Sequence, residues 1–279
     1  MKRSPLSAFA AVWFAFFLAI PPLLVPSIAQ AEITGFADAI NKSGRQRMLS
    51  QRILSAYYQI GKKINLTKSK KQLTDAVSLF ESQLNELKAY AVSGKVLARQ
   101  SEHNIDVDSA LKKVSRVWIP VKDIVTQEVV RSRAEELREL SEELLKASHN
   151  VVLLLQKLSG SASGRLVNIA GRQRMLSQRL SSLYILKSWG FENPKYEKAY
   201  LLAIKEYRSA LDELKSASIN TRKIKNSLID VERYFKMFEN SNSMKVSAPS
   251  MIRRSAAKML TMMNDVTMLY QLEAEKLGQ

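Results

Sequence analysis

The chain has 279 residues, 46% of them hydrophobic, and carries a formal charge of +17 from 43 Lys and Arg against 26 Asp and Glu. It contains no cysteine, which excludes disulfides, thiolate metal sites and cysteine redox chemistry. The length is enough for one or two domains with a sizeable buried core.

Lys2 and Arg3 precede an apolar stretch from about Phe9 to Ile28, which is broken by Pro21, Pro22 and Pro26 and followed by Ala29-Gln30-Ala31. This is the pattern of a secretory signal peptide over residues 1–31, cleaved after Ala31, so a periplasmic location is expected. No later stretch has the roughly eighteen consecutive apolar residues of a membrane span. For an exported chain, the excess of positive charge points to small anions, anionic lipid or envelope polymers, or an acidic protein, and away from nucleic acid.

Beyond the leader, apolar residues recur at helical spacing. Leu49, Ile53, Ala56 and Ile60 form one stripe; Leu73, Val77, Phe80, Leu84 and Leu87 form another; Leu137, Leu140, Leu144, Val151 and Leu155 a third. Proline is confined to positions 120, 194 and 249, and alternating β-branched runs are few. The spacing predicts an all-α protein. Helices are expected near 33–61, 69–92, 105–125 and 127–158, then near 164–189, 195–217, 221–240 and 249–277. The segment SGKVLARQSEHN at 93–104 reads as a loop.

The string GRQRMLSQR stands at 44–52 and again, letter for letter, at 171–179. At the same offset of 127, LNELK at 84–88 matches LDELK at 211–215. VSRVW at 114–118 resembles VERYF at 231–235 at an offset of 117. These matches predict two tandem four-helix-bundle units related by internal duplication, over 32–158 and 159–279. The join SGSASG at 159–164 is either a break or part of a helix running from one unit into the next.

At about 100° per residue, Ile40, Arg47, Leu54 and Tyr58 lie opposite the Leu49 stripe, with Gly44, Ser43, Ser50 and Gln51 beside them. In the second unit the corresponding residues are Val167, Arg174, Ser181 and Ile185, flanked by Gly171, Ser177 and Gln178. A helix with two apolar faces has two partners. An arginine in the second seam is costly to bury unpaired, and neither INKSGRQRMLSQRILSAYY nor VNIAGRQRMLSQRLSSLYI contains a carboxylate. The counter-charge must come from another helix or from a ligand. A guanidinium matches oxyanions through forked hydrogen bonds, and Gly44 and Gly171 allow a backbone or an anion to approach closely.

NKSGRQRMLSQR and NIAGRQRMLSQR resemble the P-box of the periplasmic sensor domains of nitrate/nitrite sensor kinases. They are still more similar to the N-terminal domain of type IV pili methyl-accepting chemotaxis transducers (PilJ-type). The likeness covers the first helix of each unit strongly and the remainder only through four-helix spacing. It implies a sensor bundle whose box arginine, Arg47 or Arg174 here, binds an anion where two first helices meet. Two features depart from the family. Neither flanking membrane spans nor a transmitter module is expected from this sequence, and Arg-Gln stands between the box glycine and arginine where the nitrate sensors have smaller or apolar residues.

The expected ligand residues are therefore Arg47, Arg174, Gly44, Gly171, Ser50, Gln51, Ser177 and Gln178, with a small inorganic anion between them. A membrane-bound signalling or transport protein is the expected partner, and an internal pseudo-dimer or a homodimer the expected assembly. His103 and His149 are the two imidazoles, without paired metal-ligand spacing, so neither a metal nor a cofactor is expected. No nucleophile elbow or phosphate loop is present, and no enzyme is expected. The other reading is a helical envelope adaptor whose arginine faces grip an acidic protein or polymer.

Overall fold

The computed structural model describes residues 32–160, 162–240 and 248–276. The leader, with its cleavage after Ala31, lies outside them. Among the described residues nine α-helices and one 3-10 turn occur and no strand, so the protein is all-α: α1 (Phe36–Gly61), α2 (Leu66–Ala91), α3 (Gly94–His103), α4 (Val107–Val125), the turn Arg131–Arg133, α5 (Ala134–Ser159), α6 (Ala162–Ser188), α7 (Pro194–Ser216), α8 (Arg222–Glu239) and α9 (Pro249–Lys276).

Helix starts follow local capping chemistry. Asp106 accepts the Ser109 backbone N–H at 2.8 Å, Thr221 that of Ile224 at 3.3 Å, and Asn193 that of Lys195 at 3.0 Å, ahead of Pro194 in the first turn of α7.

The segment 93–104, expected as a loop, is the helix α3. It is short, and its inner face is carried by Val96 and Gln100, both buried. Gln100 donates to the Ala91 carbonyl at 2.7 Å and accepts the Val107 N–H at 2.7 Å, tying the end of α2 to the start of α4. A single apolar side chain facing inward leaves no stripe for periodicity to detect.

α1, α2, α4 and α5 pack pairwise into a ring, and so do α6, α7, α8 and α9. Stacked aromatics sit at matching places in the two rings: Phe80 on Trp118 and Tyr207 on Phe235, each with ring centroids 4.3 Å apart. The rings meet where α1 lies against α6, and residues 31–279 form one compact unit. α1 also touches α9. It is consequently buried nearly all round, with Ile40, Leu54 and Tyr58 as enclosed as Leu49, Ile53 and Ala56.

No continuous helix links the rings. α5 ends at Ser159 and is capped by Gly160 in the left-handed region, φ +63°, whose N–H bonds to the Gln156 carbonyl. α6 starts anew at Ala162. At the far end of the seam the Trp189 indole lies against Gly61, so close that a Cβ there would stand 2.1 Å from it. This contact ties the end of α1 to the residue after α6.

Candidate functional site

Both occurrences of GRQRMLSQR fall in mid-helix, on the faces where α1 and α6 meet. Arg47 and Arg174 are each only 1% exposed. Their bonds are reciprocal. Arg47 Nη2 donates to the Asn168 carbonyl of α6 at 3.2 Å, and Arg174 Nη2 donates to the Asn41 carbonyl of α1 at 3.2 Å. The side chains of the same asparagines are held from the opposite ring: Asn41 donates to Gln271 of α9 at 2.7 Å, and Asn168 to Gln156 of α5 at 2.5 Å. Gln46 and Gln173 brace α1 and α6 against the neighbouring helix, donating to the Phe80 carbonyl at 3.2 Å and the Tyr207 carbonyl at 2.9 Å.

The two guanidinium groups converge on the two glycines. A Cβ on Gly44 would stand 3.3 Å from Arg47 Nη2 and 3.5 Å from Arg174 Nη2. A Cβ on Gly171 would stand 3.1 Å from Arg174 Nη2 and 3.5 Å from Arg47 Nη2. The room that glycine leaves on each helix is taken by arginine ends from both.

The remaining Nη1 atoms differ. Arg47 Nη1 bonds to His149 Nδ1 at 3.0 Å, and Arg174 Nη1 to Asn264 Oδ1 at 3.3 Å. A guanidinium only donates, so His149 accepts through Nδ1 and carries its proton on Nε2 as a neutral imidazole. Burial, and then the charges of Arg47 and Arg172, lower its pKa to about 4.

The outer arginines of α6 find carboxylates on other helices. Arg172 pairs with Glu206 at 3.0 Å and Arg179 with Glu142 at 2.9 Å. The inner arginines have no such partner among the described residues. Every bond they make is to a neutral acceptor, and both Nε atoms are buried without a partner. Burial pushes the Arg47 guanidinium down to about 9, with the Arg172 charge adding to the effect. Arg174 is driven well below the usual guanidinium value by burial first, then by Arg45 and Arg47. Two like charges buried together, each without a carboxylate, cost several kcal/mol per ion.

Of the other expected ligand residues, Ser50 and Ser177 are buried, and their hydroxyls donate at 2.8 Å to the Arg47 and Arg174 carbonyls of their own helices. Gln51 is fully buried with neither amide atom bonded. Gln178 reaches the Ala256 carbonyl at 3.5 Å. None of these four bonds to an arginine side chain. The sequence reading missed His149, Asn264 and the carbonyls of Asn41 and Asn168. One signal did exist: both strings are preceded by Asn at the same distance, Asn41 and Asn168.

Residues 29–147 match the family model for the type IV pili methyl-accepting chemotaxis transducer N-terminal region, PilJ. This stretch, less than half of the chain, is similar to a PilJ domain. PilJ is a sensory signalling family, not an enzyme family. The matched stretch takes in Gly44, Arg47, Ser50 and Gln51 and ends before α6. No curated protein and no solved structure matches the chain significantly. No helix of the described residues is long and apolar enough to cross a membrane.

Proposed function

We propose that this protein is an exported sensory module. It binds one small oxyanion, nitrate or nitrite before others, between Arg47 and Arg174 of a single chain, and reports to a separate membrane-bound signalling or transport protein. The α1–α5 ring and the α6–α9 ring are then two copies of one PilJ-type unit, over 32–158 and 159–279, and the α1–α6 seam is an internal pseudo-dimer interface.

One observation carries this reading: two fully buried guanidinium groups meet over two glycines, and each is bonded only to neutral oxygen or nitrogen. An anion between them would relieve their mutual repulsion and accept charge-assisted hydrogen bonds worth roughly 1.5–3 kcal/mol each. Nitrate is planar and presents three equivalent oxygens to planar donors, which suits forked bonding from two sides.

A ligand that binds only the folded state raises the melting temperature as its concentration passes its Kd. Thermal melts of the protein with nitrate, nitrite, sulfate, phosphate and acetate should rise most with nitrate or nitrite. If no anion shifts the melt, the ligand reading falls and the adaptor reading, with an acidic protein or polymer on the basic faces, takes its place.

A further inference from the structure

A second feature lies just outside the seam. A cleft of about 370 Å³ opens between α5, α6 and α7, and its inner end reaches Arg47 and His149. It does not extend to Arg174. Its volume is at the lower end of the range for small-molecule sites.

The walls are of two kinds. Leu145, Met175, Ala203 and Leu202 make an apolar side, on which Leu202 is 53% exposed. The other side is basic, with Arg47, Lys146, Arg172 and Arg179 around the imidazole. The two carboxylates of the cleft, Glu206 and Glu142, are already engaged by Arg172 and Arg179. Arg47 and Lys146 have no ion-pair partner among the described residues. The cleft therefore holds uncompensated positive charge, buried at Arg47 and exposed at Lys146, and uncovered hydrocarbon at Leu202, beside the buried side chains of Leu145, Met175 and Ala203. The neutral His149 keeps its remaining proton on Nε2, available to an acceptor.

We propose that this cleft binds a small organic monocarboxylate, with the carboxylate toward Arg47, His149 and Lys146 and the hydrocarbon part along Met175, Leu145 and Leu202. A bare inorganic anion would leave the apolar wall exposed, and a cation would meet Arg47 and Lys146. This second site goes beyond the oxyanion reading and shares only Arg47 with it.

The test is calorimetry on the whole protein with acetate, hexanoate and hexylammonium, and with nitrate alongside. Each methylene buried adds roughly fourfold in affinity. Partial burial of the hexanoate chain should make it at least about tenfold tighter than acetate on that scale. Hexylammonium should not bind. Leu202→Gln and Lys146→Gln, both at exposed positions, should each weaken hexanoate severalfold and leave nitrate unchanged. Arg174→Met should remove nitrate binding and keep hexanoate binding. Hexanoate no tighter than acetate would overturn the proposal. So would equal binding of hexylammonium, or hexanoate binding indifferent to both cleft variants. Loss of nitrate binding alone, with the hexanoate results intact, would count against the seam reading and not against the cleft.

Discussion

Arg47 and Arg174 sit in the same nine residues and make the same bond to the opposite helix, yet their surroundings differ beyond that point. Around Arg174 the flanking Arg172 and Arg179 are neutralised by Glu206 and Glu142. Around Arg47 the flanking Arg45 and Arg52 form no such bridge among the described residues. Burial lowers the pKa of both Arg45 and Arg52, with Asp38 and Glu86 opposing it for Arg45 and Asp75 for Arg52. The inner bond differs too, to His149 at one end and to Asn264 at the other. The outer charges are bridged around Arg174 and not around Arg47, whereas the inner charges have no carboxylate partner at either end among the described residues. A structural arginine would be expected to acquire a carboxylate. A binding arginine would be expected to stay without one, and that contrast supports the inner pair as the proposed site.

The comparison breaks most visibly if the inner arginines are removed. Arg47→Met or Arg174→Met should abolish nitrate binding, and the double variant should lose nothing more, because the two act as one unit. The same changes should stabilise the ligand-free protein if the cost of the buried charge outweighs the roughly 1–3 kcal/mol for each buried acceptor left without its donor. Denaturant melts without anion would check the sign. Lower stability together with unchanged nitrate binding would make these arginines merely structural.

A smaller effect is expected at the glycines. Gly171→Ala places a Cβ 3.1 Å from Arg174 Nη2, and Gly44→Ala places one 3.3 Å from Arg47 Nη2. Each should weaken nitrate by roughly tenfold, the worth of one charge-assisted bond, with Gly171→Ala the stronger of the two. Titration calorimetry would read the difference.

The His149 end should show a pH dependence that the Asn264 end lacks. His149 protonates near its usual 6.5 when unfolded but only at about 4 when folded. Its contribution is therefore complete above pH 6.5 and is lost as the pH falls toward 4. His149→Asn should remove that part of the decline, so wild type and variant should diverge in melts taken from pH 7 down to pH 4.5. Parallel curves would show that the imidazole is not held neutral by burial and its arginine neighbours. The smallest effect belongs to the outer pairs: Glu206→Gln or Glu142→Gln should cost under about 1 kcal/mol, because both bridges are part-exposed.

Much of this was legible in the sequence. Helical spacing marked the long helices, and an arginine seven residues from apolar neighbours on both sides marked the second buried face of α1. What stayed hidden depends on long-range partners. His149 lies 102 residues from Arg47, and Asn264 lies 90 from Arg174. The acceptors on Asn41 and Asn168 are backbone carbonyls, which no residue type announces. The carboxylates that neutralise Arg172 and Arg179 arrive from α7 and α5, so no local charge pattern reveals which arginines remain unpaired. α3 escaped notice because its inner face carries one apolar side chain and a glutamine.

The central claim is that two arginines of one chain share one anion. Nitrate titration by calorimetry, on protein whose oligomeric state is fixed by light scattering in the same buffer, tests it most directly. One nitrate per chain is expected, lost alike in Arg47→Met and Arg174→Met. Two nitrates per chain, binding that survives in either variant, or no binding at all would contradict it.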